Sequence, residues 1–151
     1  MTELRSILLA EDDPKDAELT LAGLSELRLA NDVVVVPDGA AALDYLHLRG
    51  QYASRPNGNP ALMLLDLNMP KVGGLDVLRE VKSQEGLRSI PVVMLTSSAQ
   101  ESDLLRSYQL GVNAYVVKPV NYREFIKAIK QVGAFWAVVN QPPPEGLPNA
   151  D

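Results

Sequence analysis

Cysteine is absent from this chain, which excludes a disulfide framework and a thiolate metal site. Histidine is represented only by His47, so a histidine-cluster zinc centre is excluded as well. Any metal must be held by oxygen, which favours Mg²⁺, Mn²⁺ or Ca²⁺. No apolar run reaches the length of a membrane span, and the start Met1-Thr2-Glu3-Leu4-Arg5 lacks a signal-peptide pattern. A cytoplasmic location is expected by default. Positive charge is scarce: 14 Lys and Arg stand against 19 Asp and Glu, for a net charge of −5, with no basic patch to offset it. That balance argues against nucleic-acid binding. No internal repeat is evident.

What remains is ordinary for a globular protein. The length of 151 residues fits one domain, and a hydrophobic fraction of 46% supplies a real core. Apolar strand-like runs alternate with helix-like segments five times over, the pattern of a parallel α/β sheet. The runs are Ile7–Ala10, Asp32–Val36, Leu62–Leu65, Val92–Leu95 and Tyr115–Val117. Asp13 followed by Pro14 reads as a capping acid and a first-turn proline, opening a helix that runs to about Leu27. Further helices are expected from about Gly39 to Leu48, stopping near Gly50, and from Leu75 to Ser83. The last two open on capping-box sequences, Ser98-Ala99-Gln100-Glu101 (stopping near Gly111) and Asn121-Tyr122-Arg123-Glu124. Residues 50–60 form a polar loop with two prolines and two glycines, expected on the helix-to-strand side as a surface insertion. The domain is read as residues 4–140, followed by a Pro-rich tail, 141–151, expected to be extended or disordered.

Four short stretches carry the chemistry. They are Glu11-Asp12-Asp13, Asp66-Leu67-Asn68-Met69-Pro70, Thr96-Ser97-Ser98 and Lys118-Pro119, each at the carboxyl end of an apolar run. Open α/β sheets bind ligands outside the carboxyl ends of their strands. These residues should therefore meet in one crevice that suits a divalent cation and a phosphoryl group. Asp66 is the pivot. Taken alone it reads more readily as a turn or capping residue, but a carboxylate there is also placed to attack a phosphoryl donor in line. Glu11 and Asp12 shift the balance, because clustered acids repel unless a cation compensates them. Asp12 and Asp66 are expected to ligate directly and Glu11 through water; Asp13 is assigned to helix capping. The Asn68 backbone carbonyl is a further candidate ligand. Thr96 supplies a hydroxyl for one phosphoryl oxygen, and Lys118 an ammonium for another and for pairing with Asp66. Lys118-Pro119 also permits a cis peptide. Gly73-Gly74 is read as shaping a tight turn. Ser97 is small enough to leave the site accessible. Tyr115 reads equally as a mobile surface aromatic or a buried strand residue.

Taken together, Glu11-Asp12, Asp66-Leu67-Asn68-Met69-Pro70 with Gly73-Gly74, Thr96 and Lys118-Pro119 stand in the order and spacing of the response-regulator receiver domain of two-component signalling, which the chain resembles over about residues 4–134. The resemblance implies a (βα)₅ flavodoxin-like, doubly wound parallel five-stranded sheet. It implies Asp66 as phosphoacceptor, Glu11 and Asp12 as the acid pair binding Mg²⁺, Thr96 as the switch hydroxyl and Lys118 as the family lysine. The phosphoryl donor would be a sensor histidine kinase, and the protein would assist only its own phosphorylation and dephosphorylation rather than act as an enzyme. The enlarged 50–60 loop and the late Phe135-Trp136 resemble the single-domain response regulators that partner bacterial phytochromes. At this length no output domain is expected beside the receiver.

Rival functions fit less well. A haloacid-dehalogenase-type phosphatase would place an acid where Asn68 stands. An FMN carrier needs a Gly- and hydroxyl-rich phosphate loop where this chain has Glu11-Asp12-Asp13-Pro14. A degenerate receiver acting as a constitutive binding module would lack part of the acid, hydroxyl and lysine set. On the last helix, Phe125, Ile129, Val132, Trp136 and Val139 recur at steps of four, three, four and three, with Ile126, Phe135 and Val138 adding apolar surface. This reads either as a wide core face or as a homodimer contact built around Phe135, Trp136 and Val139.

Overall fold

The computed structural model describes residues 6–27, 33–56, 58–97 and 99–139, with side chains to residue 136. Five strands form one parallel sheet: β1 (Ile7–Ala10), β2 (Val33–Val36), β3 (Leu62–Asp66), β4 (Val92–Thr96) and β5 (Ala114–Val117), in the order β2-β1-β3-β4-β5. The intervening helices are α1 (Pro14–Ser25), α2 (Gly39–Leu46), α3 (Gly74–Ser83), α4 (Glu101–Gln109) and α5 (Tyr122–Gly133). This is the doubly wound plan expected from the alternation of runs.

β1, β3 and β4 are buried along their whole length because helices cover both faces. Successive side chains point to opposite faces, so each strand feeds two cores. Leu8, Met63, Leu65 and Met94 pack with Tyr45 and Leu46 of α2 and Val77, Leu78 and Val81 of α3. Ile7, Leu9, Leu62, Leu64, Val93 and Leu95 pack on the other face with Ala17 and Leu24 of α1 and Phe125 and Ile129 of α5. Leu64 and Leu65, neighbours in sequence, are both fully buried in different layers; each contributes about 2 kcal/mol by area removed from water. α1 and α5 approach closely: a Cβ on Gly23 would lie 2.9 Å from the Ile129 Cγ2 methyl. α4 is the outlier, with Ser107 its one buried residue and Leu104, Leu105 and Tyr108 exposed.

The element boundaries refine the sequence reading. Asp32 lies outside the described residues, and β2 begins at Val33. α1 is capped by Asp13, whose side chain accepts from the backbone N–H of Lys15 and Asp16, and ends at Ser25, short of Leu27. α2 ends at Leu46 because Leu48 turns left-handed at φ 52°; the Arg49 N–H then reaches back to the Asp44 carbonyl at 2.8 Å. α3 starts one residue early, at Gly74. Of the capping box expected at the start of α4, Ser98 lies outside the described residues; Gln100 stands at the N-cap without a side-chain capping bond, and the helix begins at Glu101. Glu101 and Asp103 occupy its first turn instead, where the helix dipole favours acids. The second box forms in part, with Asn121 accepting from the N–H of Arg123 and Glu124. α5 runs on into a π-helical turn, Ala134–Val139, that periodicity did not foretell.

The 50–60 loop lies on the helix-to-strand side, as expected, but it is built rather than loose. A 3₁₀ turn, Gly50–Tyr52, brings Tyr52 edge-on to Tyr45, with ring centroids 5.2 Å apart. Arg55 stacks 4.1 Å over the Tyr45 ring and donates from Nε to the Tyr45 carbonyl at 2.7 Å. The 141–151 tail lies outside the described residues.

Candidate functional site

Strand register assembles the site. Ala10 pairs with Leu65, so Glu11 and Asp66 follow side by side at the ends of β1 and β3. Asp66 pairs with Leu95, which brings Thr96 to the next position on β4. Thr96 pairs with Val117, and the Lys118 N–H donates to the Thr96 carbonyl at 2.7 Å, fixing where the lysine leaves β5. Four consecutive strand ends thus deliver an acid pair, an acid, a hydroxyl and an ammonium to one edge.

The acids sit close together. Ligand oxygens of Glu11, Asp12 and Asp66 all lie within 4.8 Å of one another. Glu11 and Asp66 are buried and Asp12 is exposed, so the cluster opens to solvent on the Asp12 side. Lys118 lies across it: its Nζ is 2.6 Å from Glu11 Oε1, 2.8 Å from Asp16 Oδ2 and 3.7 Å from Asp66 Oδ1. Burial raises the pKa of the Asp66 carboxyl, the negative charge of Glu11 adds to the rise, and Lys118 only partly opposes it; the result is pushed up to about 8. Burial alone would lower the Lys118 pKa, but hydrogen bonds to Asp16 and Glu11 and the charge of Asp66 outweigh it and push the ammonium up to about 12. The lysine therefore stays charged while Asp66 carries an unmet electrostatic cost. A compensating divalent cation fits that donor set, which consists of hard carboxylate oxygens with an open solvent side.

The remaining residues find their places around this cluster. Thr96 is fully buried at the end of β4. Asn68 is exposed two residues beyond β3. Asp13 caps α1, as its assignment required. Ser97 is exposed, and Tyr115 is half-buried against the α2–α3 core, nearer the strand reading than the surface one. One expectation is corrected. The Lys118–Pro119 peptide is not cis, since there is no cis bond among the described residues; the Lys118–Thr96 backbone bond directs the lysine instead. Gly73-Gly74 lies in the turn between β3 and α3, as read, with Gly73 at the N-cap of α3 and neither glycine at positive φ. Lys71 takes the positive φ, at 66°, and Gly74 is needed because a Cβ there would overlap the Asp66 carbonyl oxygen. Sequence reasoning missed Asp16 altogether. Its one signal is an acid in the first turn of the helix that follows a functional strand end.

A family model for the response regulator receiver domain matches residues 7–130. This chain belongs to the response-regulator receiver family. The receiver is 39% identical over 130 residues to response regulator Rcp1 of Synechocystis sp., covering 86% of this chain and 87% of Rcp1. The solved Mn²⁺-bound form of Rcp1 superposes with a TM-score of 0.87 at 37% identity, covering 93% of this chain and 99% of that one. The phosphorylated cyanobacterial phytochrome response regulator RcpA superposes with a TM-score of 0.88 at 38% identity, covering 94% and 100% of the two chains. Bacteriophytochrome response regulator RtBRR is 60% identical with a TM-score of 0.76, covering 94% and 86%. The receiver is thus related to phytochrome response regulators, and its acidic cluster accords with divalent-metal binding. Among the described residues no helix is long and apolar enough to cross a membrane.

Proposed function

We propose that this receiver accepts a phosphoryl group on Asp66 from the phosphohistidine of a sensor histidine kinase, a bacterial phytochrome being the partner its relatives favour. The observation that carries the reading is the meeting of Glu11, Asp12 and Asp66 within 4.8 Å with the Lys118 ammonium alongside. Glu11, Asp12, Asp66 and the Asn68 carbonyl would hold Mg²⁺, which when bound neutralises charge on the acids and on the phosphoryl oxygens. An Asp66 carboxylate oxygen attacks phosphorus, the P–N bond of the phosphohistidine breaks, and the imidazole nitrogen leaves with the bonding pair. Lys118 faces one phosphoryl oxygen and the Thr96 hydroxyl donates to another. No group turns over beyond the protein's own phosphate, and the reaction belongs in the cytoplasm, where ATP-dependent kinases work.

The output follows from position. Thr96 ends β4 and Lys118 follows β5, and α4, β5 and the chain running from β5 into the start of α5 carry exposed Leu105, Tyr108, Val117, Val120 and Tyr122. Drawing Thr96 toward a phosphorylated Asp66 would rearrange that surface. A homodimer through α5 and its continuation remains part of the reading, with a shift of emphasis. Val132 and Trp136 pack in part on the protein's own α1–α5 core, whereas Phe135 is 47% exposed; the Val139 side chain lies outside the described ones. Phe135 is then the main anchor, and Phe135→Glu tests the contact without opening the core. It should convert a dimer to monomer by sedimentation velocity; a wild type that is monomeric at high concentration, phosphorylated or not, removes the dimer. The central test is Asp66→Asn, which should abolish Mg²⁺-dependent labelling by a kinase or a phosphoramidate donor. Undiminished labelling would refute the phosphoacceptor assignment.

A further inference from the structure

We infer that Asp16 is a positioning residue that holds the Lys118 ammonium back from Asp66 and thereby restrains the receiver in its unphosphorylated form. The inference rests on the reading of Asp66 as phosphoacceptor. An ammonium has three protons to donate. Lys118 gives one to Glu11 at 2.6 Å and one to Asp16 at 2.8 Å, while Asp66 stands at 3.7 Å, beyond hydrogen-bond reach. To bond an oxygen on Asp66, the nitrogen must move by about 0.9 Å, since such charge-assisted bonds are about 2.8 Å long. That movement stretches at least one of its two short bonds.

Burial decides which bond yields. The Glu11 side chain is 1% exposed and its second oxygen accepts from the Asp13 N–H at 3.2 Å, so Glu11 is fixed from both ends. The Asp16 side chain is 28% exposed, with water at hand to replace the lysine. Its backbone is nonetheless anchored, because Asp16 lies in the capped first turn of α1 and its N–H donates to Asp13 Oδ1 at 3.3 Å. Asp16 is therefore a fixed post with a releasable grip. Its side chain bonds the Lys118 ammonium, and it acts through that lysine.

Removing the grip should favour the form in which Lys118 reaches Asp66. A partly exposed ion pair of this kind corresponds to a factor of about five in an equilibrium. The test is binding of beryllium fluoride, a tetrahedral phosphoryl mimic, in Mg²⁺ by isothermal titration to wild type, Asp16→Asn and Asp16→Glu. Lys118 Nζ is followed by ¹⁵N NMR and stability by thermal melting. Asp16→Asn should bind about five-fold more tightly, with the Nζ resonance of the free protein moved toward its ligand-bound position, even if the melting temperature falls. Asp16→Glu, which restores an acid, should return affinity and resonance toward wild type. An Asp16→Asn protein that melts lower but binds with unchanged affinity, or more weakly, overturns the inference and leaves Asp16 as a stabilising ion pair only. If Asp16→Asn fails to fold, Asp16→Glu alone must leave affinity within about two-fold of wild type; a larger change in either direction overturns the inference as well. A wild type that neither binds the mimic nor accepts phosphate overturns the phosphoacceptor reading itself, a different outcome from an unresponsive variant.

Discussion

The metal-free receiver should lose stability as the pH rises through neutrality, and Asp66 should be the cause. In the unfolded chain this carboxyl titrates near 3.8; in the folded protein burial, then Glu11, push it up to about 8. Between those values the folded protein holds a proton that the unfolded chain has lost. Stability must then fall with increasing pH, by at most about 1.4 kcal/mol per unit for one group. From about pH 5.5 to about pH 7.5 the ceiling is about 2.7 kcal/mol. The cluster opens to solvent beside exposed Asp12, so screening reduces the expectation to about 1–2 kcal/mol. The assay is urea unfolding in a chelator across that range, for wild type and Asp66→Asn. The variant cannot ionise at this position, so its profile should be flatter and its stability near pH 7.5 higher than that of wild type. Saturating Mg²⁺ should flatten the wild-type profile too, because a cation then compensates the charge. Parallel pH profiles for wild type and Asp66→Asn would refute the argument, since the strain would not reside at Asp66.

Other outcomes follow from the same geometry. Millimolar Mg²⁺ should raise the melting temperature, because a ligand that binds only the folded state stabilises it, and Asp12→Ala should remove most of that increment; an unchanged response would place the metal elsewhere. Thr96→Ala should accept phosphate at Asp66 yet show little phosphorylation-dependent change in partner or dimer affinity, measured by titration of the phosphorylated and free forms; a full change would exclude Thr96 as the coupling residue. Far from the site, Lys82 Nζ donates to the carbonyls of Arg88 and Ile90 and to Asn113 Oδ1, at 3.1, 2.8 and 3.0 Å. Lys82→Met should cost about 2–4 kcal/mol by urea unfolding, from bonds to a charged group that its neighbours lose; a loss below about 0.5 kcal/mol would show that water replaces them.

Local chemistry made much of this protein legible in advance. Leu62–Leu65 and Val92–Leu95 are apolar without alternation, and only a strand buried on both faces uses such a run. That property implies a parallel sheet, and a parallel sheet places Glu11, Asp66, Thr96 and Lys118 at one edge whatever the details of packing. Asp13-Pro14 and Asn121 could be read as helix starts because a cap involves only the next few residues. The homologous order of these pieces then pointed to the receiver family.

Other features were decided by contacts between segments distant in sequence. Asp16 comes to Lys118 across 102 positions, through the angle at which α1 leaves β1; helix periodicity does not encode that angle. Gly74 was legible as a special residue, but its reason is the Asp66 carbonyl oxygen lying against it, a contact only the folded chain creates. Trp136 read either as core or as dimer contact, and the turn that continues α5 carries it partly onto the α1 side of the core. Residue types and strand ends were set by the sequence alone, because hydrophobic pattern and capping act locally. The distances among charged groups, which decide whether Lys118 faces Asp16 or Asp66, were set only when the helices docked on the sheet.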